Sequence, residues 1–158
     1  MRNFSFQRVL EIALKTEEIG MQVYSQLAEK FSNVPEKAEV FSLLSRDEQI
    51  HFSQFLQLKN SLGEREITFD EINSELMNQI SPERYFDKFA DLNKDIEEIL
   101  VLAYEFERDT YLFYSAIRDV VGDNEILNSI IQIEKTHMVK LFNYILTEQK
   151  FRGIADKF

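Results

Sequence analysis

Cysteine is absent from this 158-residue chain, and proline, glycine and histidine are scarce. Without cysteine the chain cannot form disulfides, zinc–thiolate sites, iron–sulfur clusters or a thiol nucleophile. Strand-rich folds need many turns, and turns rely on glycine and proline, of which there are only 4 and 2. The sequence therefore favours a few long helices joined by short connections.

Positive charge and long apolar runs are also in short supply. The 18 Lys and Arg are outnumbered by 28 Asp and Glu, which gives a formal net charge of -10. This balance disfavours nucleic acids and anionic membrane surfaces as partners, because both attract basic proteins. No run of 18 apolar residues exists and the start of the sequence has no apolar signal segment. We therefore expect no membrane span and a cytoplasmic location.

Apolar residues recur at alternating steps of three and four, which is the pattern of helices that face a bundle core. The pattern predicts four long helices, at about 5–32, 35–62, 94–121 and 124–149. Hydrophobic content is 44%, so the chain can form a single domain, 1–158, with a real core. Short connections at 33–35 and 122–124 predict two antiparallel helical hairpins.

The segment at 63–93 joins the two hairpins and is long enough to cross the whole bundle. Gly63 is a natural stop for the second helix, and Ser81 followed by Pro82 is typical of a helix start. We expect one or two short helices here, at about 69–79 and 82–90. The sequence thus predicts an all-α four-helix bundle, two antiparallel hairpins joined by one long crossover that contains short helices.

Each long helix carries a glutamate where its apolar stripe should place a core residue. These residues are Glu17, Glu48, Glu107 and Glu134. The only two histidines of the chain each follow one of these glutamates by three residues, as His51 and His137. Four carboxylates buried in one layer are unfavourable unless they are paired or bind metal.

The same arrangement occurs in both halves of the chain. Glu17 precedes Tyr24 by seven residues, Glu107 precedes Tyr114 by seven, and each half continues to a Glu-x-x-His motif. Residues i and i+3 share a helix face, so each motif can aim a carboxylate and an imidazole at one point. All four glutamates lie about 18–24 Å from the turn of their hairpin, at ~1.5 Å rise per residue. Hairpins packed in register would therefore bring all six side chains into one layer.

Four carboxylates and two neutral imidazoles would balance the charge of two divalent ions. Oxygen-rich ligation with one nitrogen per metal and no sulfur favours iron or manganese over a structural zinc site. Of the two we expect iron first, with manganese or a mixed pair as alternatives. The neighbours Glu18 and Glu105 are rival candidates, but the stripe and the repeat favour Glu17 and Glu107. Asp47 is a candidate for orienting a ligating histidine, or is simply exposed.

The order Glu…Glu-x-x-His…Glu…Glu-x-x-His resembles the ferritin-like di-iron carboxylate superfamily. The stretches 13–24, 46–51 and 105–114 are similar to its rubrerythrin-like branch, and the resemblance covers about 8–147. It implies that Glu48 and Glu134 bridge two metals. It further implies that Glu17 and His51 complete one metal shell, that Glu107 and His137 complete the other, and that Tyr24 and Tyr114 hydrogen-bond near the site.

The resemblance also implies a function. It suggests an oxidoreductase that reduces hydrogen peroxide, or dioxygen, and a homodimer, with or without exchanged helices. Rubrerythrins relay electrons through a Cys₄ rubredoxin domain, whereas this chain has no cysteine. An external electron donor such as a rubredoxin is then required. The alternatives are a ferroxidase or iron-handling protein, which the long crossover and the lack of a clear helix after 149 disfavour, and a non-enzymatic metal-binding scaffold or sensor.

Overall fold

Six α-helices and one two-stranded sheet make up the computed structural model, which describes residues 2–62, 66–91 and 94–155. In chain order these elements are β1 (Arg2–Ser5), α1 (Phe6–Lys30), α2 (Pro35–Leu62), β2 (Glu66–Phe69), α3 (Glu71–Gln79), α4 (Pro82–Phe89), α5 (Ile96–Val121) and α6 (Glu125–Ala155). Helix α1 packs along α2, and α5 packs along α6. The predicted all-α bundle of two helical hairpins is confirmed.

Residues at each end of α5, the first helix of the second hairpin, determine where this helix starts and ends. The side chain of Asp95 accepts a hydrogen bond from the backbone of Glu98 at 2.9 Å, and Glu98 accepts one from the backbone of Asp95 at 3.1 Å. This capping box satisfies two free N–H groups at the start of α5. The helix ends at Gly122, whose φ of 89° suits a residue without a side chain.

The crossover contains two short helices, where the sequence predicts one or two, together with a strand that the sequence does not predict. Strand β2 pairs antiparallel with β1, so that Arg2 lies opposite Phe69 and Ser5 opposite Glu66. Asp70 then caps α3 by accepting a hydrogen bond from the backbone of Asn73 at 2.8 Å. Helix α3 therefore begins at Glu71 and not near 69 as predicted.

Boundaries of the long helices also differ from the prediction, and α5, for example, begins at Ile96 where 94 is predicted. Helix α1 spans Phe6–Lys30 where 5–32 is predicted, because residues up to Ser5 belong to β1. Helix α6 continues to Ala155, past the predicted end at 149. The predicted helix stop at Gly63 lies outside the described residues. None of the helices in the described ranges is both long and apolar enough to cross a membrane.

Two separate apolar clusters form the core, one toward each end of the bundle. Along α1, the first cluster ends at Ala13 and the second begins at Ile19. Along α6, the first ends at Ile131 and the second begins at Leu141. Helices α2 and α5 show the same division, so a layer of polar residues lies between the clusters. This layer is where the four glutamates and two histidines are found.

Candidate metal centre

All six residues that the sequence predicts as ligands lie in the buried layer between the two apolar clusters. Their exposed fractions are 0% for the four glutamates, 1% for His51 and 2% for His137. The rival Glu18 instead faces solvent, where its carboxylate lies 3.5 Å from Lys15 Nζ. The one-turn spacing of glutamate and histidine in α2 and in α6, together with the matched depth of the four helices, brings these six side chains together.

The six residues form two overlapping groups of four potential ligands. One group contains Glu17, Glu48, His51 and Glu134, and the other contains Glu48, Glu107, Glu134 and His137. Within each group, one ligand atom per residue lies within 4.8 Å of all the others. Glu48 and Glu134 belong to both groups, which is the position that a carboxylate bridging two ions requires.

Six of the ligand atoms in this layer have no hydrogen-bond partner. The unpaired atoms are Glu17 Oε2, both carboxylate oxygens of Glu48 and of Glu134, and His51 Nδ1. His51 Nδ1 lies 2.8 Å from Glu134 Oε1, a distance at which a protonated imidazole forms an ion pair with the carboxylate. Buried polar atoms without partners are unfavourable. Their convergence on shared points therefore fits a site for cations, since cations would satisfy these lone pairs.

Two buried tyrosines cross between the hairpins to hold the outer glutamates. Tyr24 donates a 2.5 Å hydrogen bond to Glu107 Oε1, and Tyr114 donates a 2.5 Å hydrogen bond to Glu17 Oε1. Each tyrosine thus contacts the glutamate of the other hairpin, and not the one seven residues before it. Because one oxygen of each glutamate is fixed in this way, the other oxygen is left to face the centre of the site.

Asp47 contacts one of the two histidines from outside the layer. Its Oδ2 lies 2.8 Å from His137 Nε2, while His137 Nδ1 lies 3.3 Å from Glu107 Oε2. A carboxylate at Nε2 favours the tautomer that keeps Nδ1 free as a ligand. Asp47 directly precedes Glu48 in the first Glu-x-x-His motif. The residue that precedes Glu134 in the second motif is Ile133, whose apolar side chain cannot accept a hydrogen bond from His51.

Burial and mutual repulsion keep protons on two of the glutamates when no cation is bound. The pKa of Glu48 is well above its usual value, because the side chain is buried and lies among the charges of Glu17 and Glu134. Burial and the charge of Glu107 raise the pKa of Glu134 to about 8. Ion binding at these carboxylates must therefore displace protons.

The same carboxylates also raise the pKa values of the two histidines, because they stabilise the charged form of an imidazole. Burial lowers the pKa of His51, but the adjacent Glu134 and Glu17 outweigh burial and raise it to about 10. For His137, the charge of Glu107 and the hydrogen bond with Asp47 likewise outweigh burial and raise the pKa to about 12. Two protonated imidazoles can thus partly replace the positive charge of the cations.

Gly20 is a residue of this layer that the sequence analysis does not single out. It is buried in α1, three residues after Glu17, and faces the carboxylate of Glu48. A glycine in the middle of a long helix is unfavourable, and this is the sequence signal that could have indicated a close approach.

Comparison with known proteins agrees with this geometry. The structure is similar to that of a proposed ferritin-like diiron-carboxylate protein from Thermotoga maritima, with a TM-score of 0.72 over 92% of this chain and 97% of that chain. Sequence identity between the two is 21%, so the similarity supports the fold. A comparison with curated proteins found no match. The rubrerythrin family model matches residues 8–144, a range that includes all six candidate ligands. The chain therefore belongs to the rubrerythrin family.

Proposed function

We propose that this protein is a di-iron oxidoreductase that reduces hydrogen peroxide, or dioxygen, with electrons from an external donor. One observation carries the proposal: two groups of ligand atoms share Glu48 and Glu134 in a buried layer where six carboxylate and imidazole atoms have no hydrogen-bond partner. Reduction of one peroxide to two waters consumes two electrons and two protons. Two iron ions held side by side would supply the two electrons.

The donor atoms support iron or manganese over zinc. Glu48 and Glu134 would hold both ions, Glu17 and His51 would complete one set of ligands, and Glu107 and His137 would complete the other. Carboxylates with one imidazole per metal suit iron or manganese, whereas structural zinc sites use thiolate and imidazole. Family membership supports the assignment to iron and to peroxide.

The remaining residues of the layer orient the ligands and exclude water. Tyr24 and Tyr114 hold Glu107 and Glu17 through their hydroxyls, and Asp47 holds the ring of His137. The apolar clusters above and below the layer limit access of water, which strengthens electrostatic interactions within it. The chain itself contributes no cysteine-bound redox group, so we propose that a separate electron carrier such as a rubredoxin reduces the site.

Metal analysis tests the proposal directly. Protein purified without air and examined by anomalous diffraction should contain two iron ions about 3.5–4 Å apart, the spacing of dinuclear sites. The variants E48A and H137A should lose bound metal, whereas E39A, which removes an exposed carboxylate from α2, should not. Retention of both ions in E48A and H137A would contradict the proposed site.

Turnover and assembly distinguish the proposed oxidoreductase from the alternatives. The iron-loaded protein should consume peroxide rapidly when a reduced rubredoxin is supplied, whereas a scaffold or sensor should not.

We also propose a homodimer, which size-exclusion chromatography should detect at about twice the 18.7 kDa chain mass. Elution as a large closed shell would instead favour iron storage and would contradict the dimer.

A further inference from the structure

Gly20 lies within α1 at a point where any side chain would collide with a candidate ligand. A Cβ atom built on Gly20 would lie 2.9 Å from Glu48 Oε2, 3.1 Å from its Cδ and 3.2 Å from its Cγ. Contacts shorter than 3.0 Å are essentially never made by real Cβ atoms. The Glu48 carboxylate therefore occupies the space that the side chain of any other residue at position 20 would fill.

The second half of the internal repeat has no glycine at the matching position. Gly20 follows Glu17 by three residues, and the residue that follows Glu107 by three is Thr110. Thr110 is 3% exposed, and its hydroxyl donates a 2.8 Å hydrogen bond to the carbonyl oxygen of Phe106. The two hairpins thus differ at this position, although their glutamates, histidines and tyrosines correspond.

Neither the helix nor the core explains a glycine at this position. Glycine is among the poorest helix formers, and α1 continues for ten residues beyond Gly20. Its backbone also has no positive φ that would require glycine. What distinguishes the position is its contact with Glu48, both of whose carboxylate oxygens are buried without a hydrogen-bond partner.

We propose that Gly20 is a positioning residue for the metal site: the space left by its missing side chain determines where the Glu48 carboxylate lies. This inference rests on the proposed metal site, because it assigns a role to Gly20 through the shared ligand Glu48. Only the first half of the repeat has this feature, because the matching position in the second half, three residues after Glu107, is Thr110.

The variant G20A separates this role from a purely structural one. Alanine favours the helix, and the atoms that it meets are the end of a side chain and not backbone, so Glu48 can move away. The metal-free variant should therefore melt at the same temperature as the wild type or above it. Its affinity for metal should fall about tenfold or more, as when the supporting contacts of a ligand are altered.

Titration with Co²⁺ measures the effect without any need for turnover. Binding of Co²⁺ is followed by its visible absorption, which also reports the arrangement of ligands around the ion. The matched control is G153A, which makes the same substitution in α6 where a Cβ would have no neighbour within 4 Å. G153A should bind Co²⁺ like the wild type, whereas G20A should bind more weakly and with an altered spectrum. An affinity of G20A within twofold of the wild type, with an unchanged spectrum, would overturn the inference.

A double variant keeps the test decisive if G20A folds poorly. In the E48A background the obstructing atoms are gone, so adding G20A should no longer lower the melting temperature of the metal-free protein. A loss of stability that persists in G20A/E48A would show that Glu48 is not the neighbour that matters, and would overturn the inference.

A wild-type protein that binds no Co²⁺ would overturn the proposed metal site, and this inference with it. Normal wild-type binding with an unaffected G20A would overturn the inference alone.

Discussion

His137 is held from both sides of its ring, by Glu107 and by Asp47, whereas the second half of the repeat has Ile133 at the position that corresponds to Asp47. The carboxylate of Asp47 lies 2.8 Å from His137 Nε2 and so fixes the ring and its tautomer. We expect D47A to weaken metal binding by about 10–100-fold, the range found when the hydrogen-bond partner of a metal-binding histidine is removed. Titration with Mn²⁺ or Co²⁺ would measure the loss.

The control for D47A is E39A, which removes an exposed carboxylate of the same helix and the same charge. Its metal affinity should match that of the wild type. Equal affinities for D47A and E39A would show that His137 does not depend on its partner. Because Asp47 acts on one histidine only, we also expect D47A to affect one of the two bound ions more than the other.

The raised pKa values of the site predict how the stability of the metal-free protein depends on pH. Glu134 has a pKa of about 8 in the folded protein against 4.5 ordinarily, and His51 has a pKa of about 10 against 6.5. Both groups bind more protons in the folded state than in the unfolded state, so their protonation favours folding at low pH. Stability must then fall as pH rises from about 4.5 to about 10.

Thermal unfolding in a chelator at about pH 6 and about pH 9 would test this expectation. A loss of ~1 kcal/mol lowers the melting temperature by about 2–4 °C in a domain of this size, and we expect at least that much. The metal-loaded protein should show a weaker dependence or the opposite one, because the ions have already displaced the protons. A metal-free protein that is more stable at the higher pH would contradict these assignments.

The ligand residues could be predicted from the sequence because they break a pattern. Glu17, Glu48, Glu107 and Glu134 are charged residues at positions where helical periodicity calls for apolar ones. The role of Gly20 could not be predicted in the same way, because it depends on the distance between α1 and α2. Sequence spacing could likewise place the tyrosines near the site but not reveal which glutamate each one contacts.

At the level of the helices, the crossed tyrosine–glutamate bonds connect the first helix of one hairpin to the first helix of the other. Tyr24 of α1 donates to Glu107 of α5, and Tyr114 of α5 donates to Glu17 of α1. We expect Y24F and Y114F each to lower the free energy of unfolding by about 1.5–3 kcal/mol, the contribution of a hydrogen bond to a charged group. Chemical denaturation of the metal-loaded protein would measure the change.

The matched control is Y104F, because Tyr104 is a half-buried tyrosine of α5 whose ring packs against Phe142 outside the site. It should change the stability by much less. If Y24F and Y114F were no more destabilising than Y104F, the two hydroxyls would not connect the hairpins. Combining Y24F with Y114F would then show whether the two bonds act together, since they flank the same layer.

Elements with a strong local signal were predicted, and those that depend on distant partners were not. The four long helices follow from periodicity over 25 or more residues each. Strand β1 is only 4 residues long, and its partner β2 is more than sixty residues away in the chain. Such a pairing has no local pattern that distinguishes it from the start of a helix. The start of α4 was predicted because Pro82 suits a first helical turn.

At the scale of the whole molecule, the site concentrates negative charge in the interior of a chain whose net charge is already -10. The two histidines lie 2.8–3.9 Å from carboxylate oxygens of the buried glutamates, so protonated imidazoles provide the nearby positive charge. All four long helices contribute at least one of these glutamates. The site therefore connects both hairpins, and its occupancy should affect the stability of the entire bundle.

Metal removal should consequently destabilise the protein as a whole. A ligand present at a thousand times its dissociation constant stabilises the folded state by about 4 kcal/mol, and at a hundred times by about 2.7 kcal/mol. We expect chelation to lower the melting temperature accordingly and to increase amide hydrogen exchange in α1, α2, α5 and α6 near the polar layer. Exchange in β1 and β2 should change little, because their pairing does not involve the ligands. A chelated protein with the melting temperature and exchange pattern of the metal-loaded one would mean that the ions contribute nothing to the stability of the bundle, which would then depend on the apolar clusters and on the tyrosine–glutamate bonds between the hairpins.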